Sequence, residues 1–353
     1  MDVDLTAEQR LLQRTAREVF TEIWSPAAAR SALDGAALPH LQRRLAEVGF
    51  LGMLHEGGET LDLCLVAEQA GRVVLPSPLI SAAARAVTVL RDCGGTDRPM
   101  ATLTSITDGS ARVAVVEGDL TITGGTVSGP CHVALDAQGS TLLLTRARRG
   151  EVDLLLAIPS DAPGVTITAG VPIDATRRLA RVTLAGVTPE VLAEGPGVSA
   201  GWDRAAQIAT VVLAAEGLGT TSRCVELGVE YAKNRHAFGR TIGSFQAIKH
   251  SLVDIWVAEE MLRSLVWLAA WTADADPSAL ALCAAAAKST AADTVERAAE
   301  TLIQVHGGLG FTWEHDAHLL WRRAKVDRLL LGDAASARDA VARLALAQPA
   351  AAA

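Results

Sequence analysis

The chain has 353 residues, enough for about two or three domains that each bury a core, and half of those residues are hydrophobic. A formal net charge of -8 without a basic arm excludes a nucleic-acid partner, because phosphate binding needs a basic face. No uncharged apolar stretch approaches the roughly 20 residues of a membrane span, and Met1-Asp2-Val3-Asp4 lacks the basic-then-apolar layout of a signal peptide, so a cytoplasmic protein without a membrane segment is expected.

Residues 1–95 read as an N-terminal helical domain. Leu5, Leu11, Leu12, Ala16 and Phe20 follow helical spacing, with Thr6 before Glu8-Gln9 as a cap. A second helix runs from about Pro39 to Val48 and ends at Gly49, a third from Leu61 to Ala70 and stops at Gly71, and a fourth follows Pro76 and Pro78 through Leu90. Residues 96–195 carry short β-rich runs, among them Arg112–Val116, Leu120–Ile122, Thr141–Thr145, Asp153–Ile158, Val165–Ile167 and Val182–Leu184. Turn signals such as Gly124-Gly125 and Ala162-Pro163-Gly164 separate these runs. A small antiparallel β domain, barrel-like, is expected there. Residues 196–353 return to alanine-rich helices, with Leu252, Ile255, Leu262, Val266 and Ala269 on one face, and make a C-terminal four-helix bundle. The five cysteines (Cys64, Cys93, Cys131, Cys224, Cys283) are scattered without a CxxC pair and suit reduced core thiols.

Two segments carry chemistry. In Tyr231–His250, where one helix ends and the next begins, Arg235 offers a planar fork suited to a diphosphate and Phe238 a stacking face, while Gly239 and Gly243 admit close backbone approach. On composition alone the same residues also make an ordinary inter-helix turn. The second segment, Gln304-Val305-His306-Gly307-Gly308-Leu309-Gly310, ends a helix in a glycine turn whose amides can cradle a phosphate or simply cap the helix.

Both segments resemble signatures of the acyl-CoA dehydrogenase family. The resemblance covers nearly the whole chain, with its specificity concentrated after Tyr231, and implies the family's order of helical domain, β domain and helical bundle. It implies FAD as cofactor, with Arg235, Phe238 and Gln246 on the adenosine diphosphate end. Gln304, Gly307 and Gly308 belong to a loop that the family sets against the flavin diphosphate of a neighbouring subunit. The middle domain departs from the pattern: either Ser128-Gly129-Pro130 supplies a reduced contact to the isoalloxazine ring, or a partner subunit holds the ring.

The family's reaction takes a proton α to an acyl-CoA thioester and needs a carboxylate base. Most members carry it where Leu331 stands here, in Leu329-Leu330-Leu331-Gly332-Asp333. Others carry it 26 residues before the motif arginine, which is Ala209 here. Neither is acidic, so no catalytic residue is assigned. Asp333 and Glu314 are the neighbouring acids, Asp333 also being a good helix N-cap. Glu314, His315, Asp316 and His318 match no metal-ligand spacing, and no metal is expected.

The resemblance therefore implies the shorter, base-lacking subunit of a bacterial heterotetramer. Such a subunit acts on an acyl-CoA, of a bulky or steroid-derived kind, beside a partner that supplies the glutamate. Two other readings stand beside it: a flavin-dependent monooxygenase of the same architecture, and a structural partner without flavin.

Overall fold

The computed structural model describes residues 4–33, 39–93, 97–171 and 173–347. In chain order the elements are α1 (Ala7–Ile23), α2 (Pro26–Leu33), α3 (Pro39–Glu47), α4 (Thr60–Arg72), a π-helical stretch (Leu79–Ala86), α5 (Val87–Asp92) and α6 (Asp97–Thr107). Eight strands follow: β1 (Val113–Val116), β2 (Thr121–Thr123), β3 (Thr126–Leu135), β4 (Leu142–Arg149), β5 (Val152–Pro159), β6 (Val165–Ala169), β7 (Leu179–Val187) and β8 (Glu190–Glu194). The long α7 (Pro196–Asn234) leads through a two-stranded hairpin, β9 (His236–Ala237) and β10 (Arg240–Thr241), into α8 (Gln246–Ala275). Then come α9 (Leu280–His306), a 3-10 turn (Gly307–Phe311), α10 (Ala317–Asp327) and α11 (Ala334–Ala347). Two compact units emerge, one of residues 1–36, 60–75 and 210–353, the other of 37–59 and 76–209.

The first unit is helical. Thr6 caps α1 with a full capping box, its hydroxyl accepting from Gln9 N and the Gln9 side chain accepting from Thr6 N. Ala16 and Phe20 are the residues that α1 buries, and α1 packs on α4. The Gly71 stop expected in the sequence does not occur, because α4 runs on through Arg72. Gly71 serves a helix crossing instead: a Cβ there would lie 1.9 Å from the Glu216 carbonyl oxygen on α7, and one on Gly219 would lie 1.7 Å from that of Glu68 on α4. Two glycines facing each other's helix let the backbones touch, and a Cβ at either position would force the helices apart.

Beneath that crossing lies a charge with no exposure at all. Arg323 on α10 forms an ion pair with Glu216, both 0% exposed, and donates to the carbonyls of Val74 (3.0 Å) and Leu75 (3.4 Å). A buried pair is tolerated only when its remaining polar atoms are hydrogen-bonded, and these carbonyls meet that need. Next to it, Arg263 on α8 bridges Glu68 at 3.0 Å and Glu259 at 2.7 Å.

The second unit holds the β domain. Its strands form two four-stranded sheets, ordered β1-β4-β5-β8 and β2-β3-β7-β6, rather than one closed barrel. Every pairing within them is antiparallel except β1 with β4, which is parallel. Between the sheets lies a core that includes Val116, Val127, Leu143, Leu154, Leu156, Ile158, Val182 and Leu184. The central β5 is buried on both faces and β7 alternates buried with exposed, so their sequences show a continuous apolar run and a period of two respectively.

Candidate functional site

The residues expected at the adenosine diphosphate end of FAD, Arg235, Phe238, Gln246, Gln304, Gly307 and Gly308, all fall in the helical unit. Arg235 follows α7 directly, its N–H donating to the Tyr231 carbonyl at 2.8 Å, and its own carbonyl accepts from Ile242 N at 2.8 Å. Between these bonds the chain makes the β9–β10 hairpin, in which His236 pairs Thr241 and Ala237 pairs Arg240. The two connecting residues, Phe238 and Gly239, have φ of 52° and 78°, the sign pattern of a type I′ turn. Glycine adopts that backbone freely, whereas an aromatic residue there stores about 1–3 kcal/mol of strain. The conformation leaves the Phe238 ring 94% exposed, set edge-on to Phe245 with centroids 6.2 Å apart. Arg240 covers the Phe245 ring at 4.1 Å. Gln246, the first residue of α8, is exposed, as is Arg235.

The glycine loop adjoins this hairpin. Gln304 is exposed in the last turn of α9, and Gly307, with φ 59°, ends that helix. Nothing lies within 4 Å of where a Cβ would stand on Gly307 or Gly308, so open space faces the backbone there. A ring stack joins the two segments: Tyr231 lies on His306 with centroids 4.1 Å apart, and the His315 ring meets His306 at 4.2 Å, tilted by 43°. His306 also bonds the Leu302 carbonyl at 2.8 Å. Ala232, Leu252 and Val305 add a small apolar core shared by the ends of α7 and α9 and the start of α8. Tyr231 and His306 lay inside the quoted segments, but no sequence signal marked them as the link.

Residues expected to be non-acidic or otherwise engaged can also be located. Ala209 is fully buried in α7, and Leu331 stands at φ 56° just after α10, followed by Gly332 at φ 96°. Asp333 accepts from Ser336 N at 2.7 Å at the start of α11, and those hydrogen bonds hold its carboxyl below the usual range. It acts as a cap. Glu314 is exposed.

In the β unit, Ser128 accepts from Gly186 N at 2.8 Å, and β3 shifts register on either side of Gly129-Pro130. Gly129 has φ 143°, and a Cβ there would lie 2.2 Å from the Asp119 carbonyl oxygen. Ser128-Gly129-Pro130 thus forms an internal bulge whose hydroxyl accepts from a neighbouring strand end. Glu117, just after β1, pairs with Arg85 and accepts from the Trp202 indole at 3.0 Å. Burial, with Arg146 nearby, pushes the Arg85 guanidinium down to about 10. No group of three or more His, Cys, Asp or Glu able to hold a metal occurs among the described residues.

The family is decided by comparison with known proteins. The acyl-CoA dehydrogenase N-terminal domain matches residues 6–109 and the acyl-CoA dehydrogenase C-terminal domain residues 201–346. The chain is 34% identical over 347 residues to acyl-CoA dehydrogenase IpdE2 of Mycobacterium tuberculosis, covering 96% of each. The chain belongs to the acyl-CoA dehydrogenase family. It is an oxidoreductase of that family, and its order of helices, β sheets and helices is the family's fold.

Among solved structures it resembles the Tcur3481-Tcur3483 steroid ACAD (TM-score 0.86, 26% identity, 96% of this chain and 98% of that one). The ChsE4-ChsE5 complex from Mycobacterium tuberculosis shares the fold (TM-score 0.89, 23% identity, 99% and 100% covered). Among the described residues of this acyl-CoA dehydrogenase no helix is long and apolar enough to cross a membrane.

Proposed function

We propose that this chain is the FAD-binding, base-lacking subunit of a heteromeric acyl-CoA dehydrogenase. The observation that supports it is that Arg235, Phe238, Gln246, Gln304, Gly307 and Gly308 are all exposed on the helical unit, in two segments joined by the stack of Tyr231 on His306. The patch fits the adenosine diphosphate part of FAD. Arg235 forms no ion pair among the described residues and is open to a diphosphate fork-on. The Phe238 ring offers an unobstructed stacking face, and the bare backbone at Gly307-Gly308 leaves room for a phosphate.

When bound, FAD supplies the hydride acceptor for α,β-dehydrogenation of an acyl-CoA thioester. What this chain contributes is binding and orientation: Arg235 neutralises diphosphate charge, Phe238 stacks, and the glycine loop closes over phosphate oxygens. Proton abstraction falls to a partner subunit, because Ala209 and Leu331 carry no proton acceptor and Asp333 is held as a cap. The bulged, self-bonded Ser128-Gly129-Pro130 favours a partner that also holds the isoalloxazine ring.

Assembly is supported by α8, which exposes Val253, Trp256, Val257, Met261, Leu268 and Trp271 at helical spacing. A row of that size is unusual on a lone protein and marks an association face. A solved relative described as a steroid ACAD supports a bulky acyl group, and the pairing of two named proteins in that structure and in the ChsE4-ChsE5 complex supports a hetero-oligomer.

The test is co-expression. The chain alone and the chain with an acyl-CoA dehydrogenase-like partner are purified, and their visible spectra recorded before and after anaerobic addition of acyl-CoA. Flavin that bleaches only in the complex is the expected result, with Arg235→Met losing most bound flavin. Bleaching by the chain alone would overturn the division of labour. Turnover that demands a separate flavin reductase and oxygen would point to the monooxygenase instead.

A further inference from the structure

A cavity of about 420 Å³ opens in the helical unit, apart from the flavin residues, between α1, α2, α4, α7 and α10. Its volume sits at the small end of the roughly 300–1,000 Å³ typical of ligand pockets. Trp24, Ala29, Val74, Leu319 and Leu320 give it a buried apolar floor. The Trp24 indole N–H is already donated to the Val73 carbonyl at 2.9 Å, so Trp24 offers the cavity only carbon.

The polar side is lopsided. Arg17, Arg72 and Arg223 line the cavity, and all three lean on a single carboxylate, Glu226: Arg17 at 3.8 Å, Arg223 at 3.5 Å and Arg72 in direct contact. Three positive charges against one negative leave a surplus of two at this wall. Burial alone would raise the Glu226 carboxyl, yet its guanidinium neighbours outweigh that and hold it below the ordinary range, so it stays ionised and cannot absorb more of them. The other acid on the wall, Asp316, is paired with Arg30. Gln69 completes the set: it is 4% exposed and lines the cavity from α4.

We propose that this cavity is a binding site for an amphipathic carboxylic acid. Its carboxylate would lie against Arg223, Arg72 and Gln69, and its compact apolar body against Trp24, Val74 and Leu319. The excess of guanidinium rejects cations, the apolar floor disfavours a bare inorganic anion, and the volume suits a medium-chain or alicyclic acid rather than a coenzyme. His315 lies on the cavity wall with its ring tilted 43° against that of His306 before the glycine loop, centroids 4.2 Å apart, so an occupant would lie one residue away from the Tyr231–His306 stack.

The test is calorimetric titration of the full chain with octanoate and with octanamide, which share the apolar body and differ in charge. Octanoate should bind saturably at one site per chain, with octanamide about tenfold or more weaker. Arg223→Met, at a partly exposed position on the rim, should weaken octanoate about tenfold and leave octanamide unchanged. Leu227→Trp should fill the cavity and abolish both. Equal binding of the two ligands, no saturable binding by the wild-type chain, or octanoate binding that survives Leu227→Trp would each overturn the proposal. The wild-type pair of titrations decides the matter even if a variant fails to fold. Bleaching of the complex by acyl-CoA is read separately, so loss of one result leaves the other standing.

Discussion

The ring of Tyr231 lies on the ring of His306 with centroids 4.1 Å apart and planes 27° from parallel. That contact joins the last turns of two long helices, α7 and α9, whose ends carry the two flavin segments. Arg235 is one turn beyond Tyr231, and Gly307 is the next residue after His306. Stacked rings contribute about 0.5–1.5 kcal/mol beyond area burial, enough to fix the spacing of two surface loops.

Truncating the stack should therefore loosen flavin binding more than it lowers stability. Tyr231→Ala is expected to weaken FAD retention in the assembled protein about tenfold, while Tyr231→Phe, which keeps the ring, restores it. Flavin content after desalting, measured by absorbance, reads the effect. A Tyr231→Ala protein that keeps wild-type flavin content would show that the loops are organised by other contacts.

The same cluster makes stability depend on pH in a definite direction. His306, His315 and His318 all have imidazoles held below the ordinary value of 6.5, chiefly by burial. For His306 the neighbouring His315 adds to the effect, and for His318 so does Arg322. The folded protein thus binds fewer protons than the unfolded chain once pH falls below about 6.5. Stability is fully present above that value and is lost as pH drops through it toward the lower folded-state values. Thermal midpoints recorded from pH 8 to pH 5 should fall on the acid side, and His306→Phe should flatten the fall. An acid limb of unchanged slope in that variant would remove His306 from the account.

Much of this fold was legible locally and little of it at a distance. Gly49 ends its helix as expected, with φ 79°. Gly71 was misread because a glycine that stops a helix and one that lets two helices touch look alike until the partner helix, here α7 with Gly219, is known. Strand β3 escaped notice since Gly129-Pro130 interrupts its pattern, and only the bulges opposite β7 show that the strand continues. Helix α6 lay within the stretch read as β-rich, beyond a run of polar residues that hid its buried Leu103 and Ile106. For the site, short-range motifs named the individual residues, while the ring stack that joins them depends on residues far apart in sequence. The cavity beside Trp24 draws on five helices and had no local signature at all.

The helix crossing gives a sharper test of that reading. Adding one methyl at Gly219 would place carbon 1.7 Å from a backbone oxygen of Glu68, and α4 cannot yield without shifting its contacts to α1 and α8. Gly219→Ala is expected to lower the urea midpoint by an amount equivalent to about 1–3 kcal/mol, the usual penalty of overpacking. Gly197→Ala, near the start of the same helix, has nothing within 4 Å of its would-be Cβ and serves as the control. Equal effects at the two positions would mean helix propensity, not the crossing, sets the cost.

The pair of Arg323 and Glu216 should behave as an all-or-nothing element. Both side chains are 0% exposed, and Arg323 also satisfies the carbonyls of Val74 and Leu75 where α4 gives way to extended chain. Glu216→Leu removes the carboxylate that faces Arg323 in a buried site, and Arg323→Met removes the guanidinium from beside Glu216 and from two carbonyls. Breaking one partner of such a pair costs about 3–5 kcal/mol. The double variant removes both charges and should recover part of that loss, but not all, because the Val74 and Leu75 carbonyls stay unsatisfied. A double-mutant cycle on unfolding midpoints measures the coupling. Strictly additive losses would show that the two charges do not compensate each other, and that Arg323 is retained only for the carbonyls it caps.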